Sequence, residues 1–173
     1  MNSKHLNKTK EVSILFTRYN DKLSQFVYYA TRKGPTHVSI SLDNDETFWS
    51  FNTKGFRKEF PVRYKKRIKE FSLYKIRVTD EQHKKLQEII DEFYKKSENL
   101  KYNYIGAIIC CAIGLSFVLK NRWFCSQFVG MILTLVGVIS LKKSYSRYSP
   151  KGIKKEIEKQ CIFRKVENPT FLA

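Results

Sequence analysis

The stretch Trp123-Phe124-Cys125-Ser126-Gln127-Phe128-Val129 places one cysteine at the point where an apolar run begins. A second stretch, Thr36-His37-Val38-Ser39-Ile40, lies far upstream and alternates polar with apolar residues. The first stretch predicts a helix that begins near Cys125, and the second predicts a β-strand that carries His37. Together they indicate a thiol nucleophile and an imidazole base, with the histidine first along the chain.

The strand that carries His37 is predicted to form a hairpin with the segment that follows it. Residues 36–42 alternate, with His37 on the polar face. A two-residue turn at Asn44-Asp45 places His37 opposite Asn52 and leaves Ser50 on the same face. This register is a hypothesis, because a slip of one residue moves every side chain to the opposite face. Ser50 and Asn52 are therefore candidate partners of the imidazole.

The remaining pattern predicts an α+β protein in which helices pack on an antiparallel sheet. Further strands are predicted at 11–19, 71–78 and 160–166, and helices at 22–32, 80–98 and 125–135. The basic segment 54–69 contains Gly55 and Pro61, which predict a loop or a short irregular strand. The basic segment 142–155 contains Pro150 and is predicted to be a loop.

The 173-residue chain has a strong excess of positive charge, with 33 Lys and Arg against 16 Asp and Glu, a formal charge of +17. Its 42% hydrophobic content is typical of a globular protein rather than of a disordered one. The length fits one domain, which we place at residues 11–173 after a basic tail at residues 1–10. The charge favours an anionic partner, although a solvated basic surface is the simpler interpretation.

We expect no metal and no cofactor. The four cysteines and three histidines are scattered, and the sequence has no CxxC pair. It also has no P-loop, no GxGxxG and no HExxH motif. The basic segments lack the interleaved aromatic residues that stack single-stranded bases, which disfavours nucleic acid as the partner.

Two apolar stretches, 105–119 and 128–141, raise the question of a membrane. Both are shorter than the ~20 residues that a helix needs to span a bilayer. We expect core helices, with a membrane-associated hairpin as the alternative. Free thiols, and a first segment 1–10 without an apolar run, predict a cytoplasmic protein for which any membrane contact is peripheral.

The proposed pair has a chemical rationale. The thiolate is the reactive form of cysteine, and the positive end of a helix favours it. If His37 folds against Cys125, the imidazole takes the thiol proton, and the backbone N–H of Cys125 faces a developing oxyanion. A polar side chain on the next strand then orients the imidazole, for which Asn52 is a better acceptor than Ser50. The competing interpretation is that Cys125 and His37 are ordinary core residues.

The same residues resemble a known family. Thr36-His37-Val38-Ser39-Ile40 resembles the SHVGI strand of the permuted NlpC-like papain-fold superfamily, and Phe124-Cys125-Ser126-Gln127-Phe128-Val129 resembles its CSxxV nucleophile helix. Members include YiiX-type bacterial proteins and, more distantly, lecithin retinol acyltransferase-like enzymes. In that superfamily a circular permutation puts the histidine strand ahead of the cysteine helix, which is the order found here. The resemblance covers residues 11–166.

The resemblance implies a thiol-dependent hydrolase or acyltransferase, such as a cysteine peptidase or amidase, that acts on amide, thioester or ester bonds. Cys125 is then the nucleophile, His37 is the base, and the substrate is an acyl or peptide-like compound. The third residue in the superfamily is commonly a carboxylate or a histidine on the strand after the catalytic histidine. Here that strand offers only Ser50 and Asn52, so the sequence departs from the family pattern.

A second interpretation is a binding module on the same fold, without catalysis. The +17 charge then serves to hold an anionic lipid surface or nucleic acid, and Cys125 behaves as an ordinary buried thiol. An anionic membrane surface is compatible with either interpretation.

Overall fold

The computed structural model describes residues 9–43, 45–167 and 169, and in them six strands form one antiparallel sheet. The strands in chain order are β1 (Thr9–Tyr19), β2 (His37–Ser41), β3 (Phe48–Asn52), β4 (Gly55–Glu59), β5 (Ile68–Thr79), β6 (Lys101–Tyr102), β7 (Arg122–Trp123) and β8 (Phe163–Val166). The order across the sheet is β4-β3-β2-β1-β5-β8, while β6 and β7 form a separate parallel pair.

Helices cover one face of this sheet. They are α1 (Lys22–Ala30), α2 (Asp80–Lys95), α3 (Tyr104–Ile113), α4 (Cys125–Leu135) and α5 (Pro150–Gln160), with short 3₁₀ turns at Pro61–Arg67, Ser97–Asn99 and Tyr145–Arg147. The expected α+β class, an antiparallel sheet packed by helices, is confirmed.

Alternation along the strands sorts the residues between two faces. Val38 and Ile40 of β2 enter the main core with the helices. His37 lies on the opposite face of the sheet. Leu15, Phe48 and Leu73 of other strands also lie on that face, where they form a smaller apolar cluster. Every residue of β2 is buried, because both of its faces are covered.

Helix α4 is the central helix, since all of its residues from Cys125 to Leu133 are buried. It packs on β2 and β3, which brings its first residue towards the start of the strand that carries His37. Phe128 of α4 fixes this arrangement through three aromatic contacts. The distance from its ring centroid is 5.7 Å to that of Phe51 on β3, 5.1 Å to that of Phe56 on β4 and 5.0 Å to that of Phe93 on α2. Aromatic pairs at such distances add to the stability gained by burial.

The predicted hairpin register is confirmed where the structure describes it. Ile40 pairs with Trp49, which is the register that sets His37 opposite Asn52. Asn44 of the predicted turn lies outside the described residues. Strand β1 begins at Thr9, so the last two residues of the predicted tail belong to the sheet, and residues 1–8 are outside the described part.

Two basic segments contain more regular structure than the sequence predicted. The segment 54–69 holds β4 and a 3₁₀ turn, because Gly55 (φ 94°) allows a tight hairpin from Asn52 and Phe56 enters the core. The prediction of a loop at 142–155 was wrong from Pro150 onwards, where a helix begins, whereas 142–149 contains only a short 3₁₀ turn.

Helix α5 begins inside that second segment. The Ser149 side chain accepts a hydrogen bond from the Gly152 backbone N–H, and Pro150 occupies the first turn. Ile153 and Ile157, four residues apart, are fully buried below the lysine-rich outer face. Because many of the other residues are lysines, the short apolar stripe of this amphipathic helix was not recognised in the sequence.

The described residues contain no helix that is both long enough and apolar enough to cross a membrane. The first apolar stretch accounts for only one short helix, since α3 ends at Ile113 and is closed by Gly114 in the left-handed conformation (φ 68°).

Replacing Gly55 by Ala is expected to destabilise the protein by at least about 2 kcal/mol, because it combines a left-handed φ with a steric clash. A Cβ atom at this position would clash with the backbone oxygen of Leu100. Gly114→Ala is the matched control, since its φ is also positive but nothing lies within 4 Å of the added atom. We expect it to cost about 1 kcal/mol. Urea denaturation followed by circular dichroism measures both, and equal losses would contradict the role assigned to the hairpin.

Candidate functional site

His37 is the first residue of β2, and its surroundings bury it almost completely. Its backbone pairs with Thr17 of β1, and the residue is 8% exposed. The ring of Tyr19 lies 5.7 Å from the imidazole, centroid to centroid. Such a position fixes the orientation of the ring and removes it from bulk water.

A carboxylate that the sequence analysis did not select holds the imidazole. Glu59, the last residue of β4, has one carboxylate oxygen 2.9 Å from His37 Nε2, and both side chains are about one-tenth exposed or less. Because a histidine ring has two nitrogens and Nε2 faces Glu59, Nδ1 is the nitrogen left for another partner.

Asn52 completes the support of this pair. Its side-chain Nδ2 donates a hydrogen bond of 2.9 Å to the second oxygen of Glu59. Asn52 was predicted to accept a hydrogen bond from the imidazole directly, and that detail was wrong, because the carboxylate lies between the two. The face was predicted correctly, but Asn52 positions Glu59 rather than His37.

Ser50 does not have the predicted contact with the imidazole. Its hydroxyl donates a hydrogen bond of 2.7 Å to the backbone oxygen of Val38 on the neighbouring strand. Ser50 is fully buried, and a buried hydroxyl needs a partner. A backbone carbonyl across the sheet meets this need, which leaves Glu59 as the group that orients His37.

Glu59 could have been found from one local signal. The residues Asn52-Thr53-Lys54-Gly55 permit a two-residue turn, after which Gly55-Phe56-Arg57-Lys58-Glu59 forms a third strand beside the hairpin. Glu59 lies four residues after Gly55, the partner of Asn52, and therefore on the same face of the sheet. The charges of the segment favoured a loop instead.

The charge state of His37 follows from these neighbours. Burial, the largest influence, disfavours the imidazolium, but the Glu59 carboxylate and a hydrogen bond with Cys125 outweigh it. The pKa of His37 is therefore held well above the usual value for histidine. These neighbours favour the imidazolium form of His37, which lies between the Glu59 carboxylate and the sulfur of Cys125.

Cys125 is brought to His37 by the start of α4, as predicted. It is the first residue of the helix, and it is 3% exposed. The residue before it, Phe124, has no side-chain acceptor, so no side chain caps the first backbone N–H groups of the helix. These N–H groups and the positive end of the helix are available to an anion beside the thiol.

A pocket of about 340 Å³ gives access to this cluster. His37, Asn52 and Glu59 line it, together with the aromatic residues Tyr19, Tyr64 and Tyr102. Burial, together with the nearby Cys125, raises the pKa of Tyr102, so its hydroxyl stays protonated and can donate a hydrogen bond. Two cationic residues, Lys54 and Arg67, also border the pocket.

The described residues contain no group of three or more His, Cys, Asp and Glu side chains that could hold a metal ion. The pocket is lined by the His37 imidazole and by the Glu59 carboxylate with its supporting amide, and the Cys125 thiol joins them through its hydrogen bond with His37.

Comparisons with known proteins show what the chain is similar to. A comparison with protein-family models gave no match, and a comparison with curated protein sequences also gave none. Among solved structures, the fold is similar to the crystal structure of the metalloprotein YiiX from Escherichia coli O157:H7, with a TM-score of 0.62 and 13% sequence identity. The match covers 92% of this chain and 98% of that chain. This similarity supports the YiiX-type fold that the sequence predicted.

Replacing Glu59 by Gln is expected to lower the pKa of His37, because burial is then opposed only by the interaction with Cys125. In NMR titrations the variant imidazole is expected to lose its proton at a lower pH than the wild-type imidazole. The other two histidines serve as internal references.

The matched control is Ser50→Ala, on the same face of the sheet. Its hydroxyl is bonded to Val38, so this change is expected to leave the titration of His37 in place. An unchanged titration in Glu59→Gln, or a loss of the elevated pKa in Ser50→Ala, would show that the assignment of the partner is wrong.

Proposed function

We propose that this protein is a thiol-dependent hydrolase or acyltransferase with a circularly permuted papain-like fold. The observation that carries the proposal is the chain of contacts from Cys125 through His37 to Glu59 beside one pocket. Nucleophile, base and orienting group are the three parts that covalent acyl transfer needs. The histidine strand precedes the cysteine helix, as in the permuted superfamily.

The first half of the reaction forms a thioester. In the reactive form of the pair the proton of the Cys125 thiol already resides on Nδ1 of His37, and the Cys125 thiolate attacks the acyl carbon of the substrate. The carbonyl oxygen becomes an oxyanion, which the backbone N–H groups at the start of α4 stabilise. The intermediate collapses as the His37 imidazolium returns its proton to the leaving amine, alcohol or thiol.

The second half releases the acyl group. Neutral His37 removes a proton from water, or from a second acceptor, which attacks the thioester carbonyl. The carbon–sulfur bond breaks, and the Cys125 thiolate leaves with its partner imidazolium restored. Glu59 stabilises the imidazolium whenever it forms, and Asn52 keeps the carboxylate in place. Cys125 and His37 are the catalytic residues, and Glu59 and Asn52 are positioning residues.

The lining of the pocket favours an acyl or peptide-like substrate. Three tyrosines provide apolar surface and hydroxyl groups, Lys54 provides positive charge, and Arg67 is paired with Asp21 at 3.8 Å. Such a lining accepts a carbonyl compound with an apolar part and a polar end. The pocket does not distinguish hydrolysis from transfer, since water and a second substrate enter by the same route.

No step of this mechanism passes through a metal. The similar protein YiiX is described as a metalloprotein. In this chain the described residues provide no group of three or more donor side chains, so they do not fit such a site. The nucleophile in the proposal is therefore the thiol itself.

The test is the formation of an acyl-enzyme with an activated ester, p-nitrophenyl acetate. We expect release of p-nitrophenol and, after rapid quenching, one acetyl group on the peptide that contains Cys125. Cys125→Ala is expected to abolish both signals, and His37→Ala to slow acylation by about 100-fold or more, because it removes the base. Cys161→Ala is the control, since that partly exposed thiol lies at the end of α5.

Acetylation that is equal at Cys125 and Cys161, or that is unchanged in His37→Ala, would contradict the proposal. That result would favour the second interpretation, a binding module whose cysteine is simply buried. The observation that supports this second interpretation is the 3% exposure of Cys125, because burial alone is enough to make a thiol unreactive.

A further inference from the structure

Helix α3 exposes an apolar stripe instead of burying it. Ile105 and Ile108 are 54% and 40% exposed, and Ile113 at the end of the helix is 66% exposed. Tyr104 and Ala112 are also exposed and lie on the same side of the helix, because residues three or four positions apart share one helix face. Exposed apolar side chains are common singly, but a continuous stripe on one helix is a feature that needs a partner.

The loop after α3 extends this surface and is held firmly from beneath. The Asn103 side chain donates a hydrogen bond of 2.8 Å to the Phe117 backbone oxygen, and Arg147 Nε donates one of 2.9 Å to the Gly114 oxygen. The backbone is thus fixed, while the side chains of Leu115, Phe117 and Val118 stay 49%, 39% and 61% exposed. We call residues 104–118 with these outward side chains the apolar patch.

The segment of sequence that contains the apolar patch carries charge of one sign. Residues 99–155 contain nine Lys and Arg and no Asp or Glu, although the chain has 16 acidic residues in all. Lys101, Lys120 and Arg122 flank the patch in sequence and are exposed. An exposed apolar segment flanked by exposed cations is the pattern that an anionic lipid surface complements, since headgroups meet the cations and acyl chains meet the apolar side chains.

We propose that the apolar patch docks this protein on an anionic lipid bilayer, with α3 lying in the interface rather than crossing it. Ten residues of helix extend about 15 Å, half the thickness of the hydrocarbon core. A nucleic acid would not bury the exposed isoleucine side chains in an apolar environment. A second copy of this chain would bring two surfaces of like charge together. The proposal concerns binding only and does not depend on the reaction at Cys125.

Flotation with vesicles tests the docking. Full-length protein is expected to float with vesicles of equal parts phosphatidylcholine and phosphatidylserine, and not with vesicles of phosphatidylcholine alone. Added salt should weaken the binding. The double variant Ile113→Ser, Val118→Ser is expected to bind at least about tenfold more weakly, because two apolar side chains no longer enter the lipid.

Two control variants separate the patch from general charge and stickiness. Ile162→Ser changes another highly exposed apolar residue (83%) outside the patch and should leave binding unchanged. Lys120→Glu should weaken binding by about tenfold, whereas Lys69→Glu, an exposed lysine on β5, should have a smaller effect. Circular dichroism confirms that each variant is folded.

Three results would overturn the proposal. The first is no flotation with the anionic vesicles, and the second is flotation that the double variant does not weaken. The third is a dimer in analytical ultracentrifugation that the double variant dissociates while vesicle binding is absent, which would assign the patch to a second copy. Assaying p-nitrophenyl acetate in the same samples keeps the docking result separate from that for catalysis.

Discussion

The buried ion pair between His37 and Glu59 is the constraint on which the rest of the site depends. An imidazolium and a carboxylate each lose several kcal/mol of hydration on burial, so neither is tolerated inside a protein without the other. Here the two groups are 2.9 Å apart, and Asn52 bonds to the second carboxylate oxygen. Removing any one of the three leaves a buried polar group without its partner.

This constraint explains the arrangement of the neighbouring strands. β2 carries His37, β3 carries Asn52 and β4 carries Glu59, so the three side chains meet only if these strands are adjacent and in the observed register. The turn at Gly55 joins β3 to β4 and therefore decides whether the Glu59 carboxylate reaches His37. The aromatic contacts of Phe128 then tie this hairpin to α4, which begins with Cys125. Sheet and helix are thus fixed relative to each other at the point where thiol and imidazole meet.

Much of this site could be predicted from the sequence because it rests on local periodicity. Alternation placed His37 on a strand, and the beginning of an apolar run placed Cys125 at the start of a helix. The hairpin register then put Asn52 on the correct face. The partners of Ser50 and Asn52 could not be predicted, because a hydroxyl or an amide has several acceptors within reach and only the packed sheet decides among them. Glu59 and α5 were missed for another reason. Both lie in lysine-rich segments, where only one residue in every few is apolar and buried, so the hydrophobic periodicity that predicts a strand or a helix is weak.

The surface around α3 shows a different relation between sequence and structure. The stretch 105–119 was expected to enter the core because it is apolar, but only one side of α3 does so, where Ala107 and Cys110 join the core with residues of α2, α4 and α5. Gly114 ends α3 early, and the loop that follows is fastened with its apolar side chains outward. Hydrophobicity therefore predicted burial for the whole segment, whereas the structure leaves one side of it exposed, which is the side that the proposed lipid surface would cover.

The central claim is that Cys125 and His37 form a thiolate–imidazolium pair, and the pH dependence of alkylation tests it most directly. Iodoacetamide labelling of each cysteine can be followed by peptide mass spectrometry from about pH 6 to pH 8. The account predicts that Cys125 of the wild-type protein is labelled already at the low end of this range. Cys161, whose pKa is raised by burial, should label about tenfold faster for each pH unit. In His37→Ala, Cys125 should lose its labelling at low pH. Labelling of Cys125 that rises with pH as steeply as that of Cys161, and is the same in both proteins, would contradict the account.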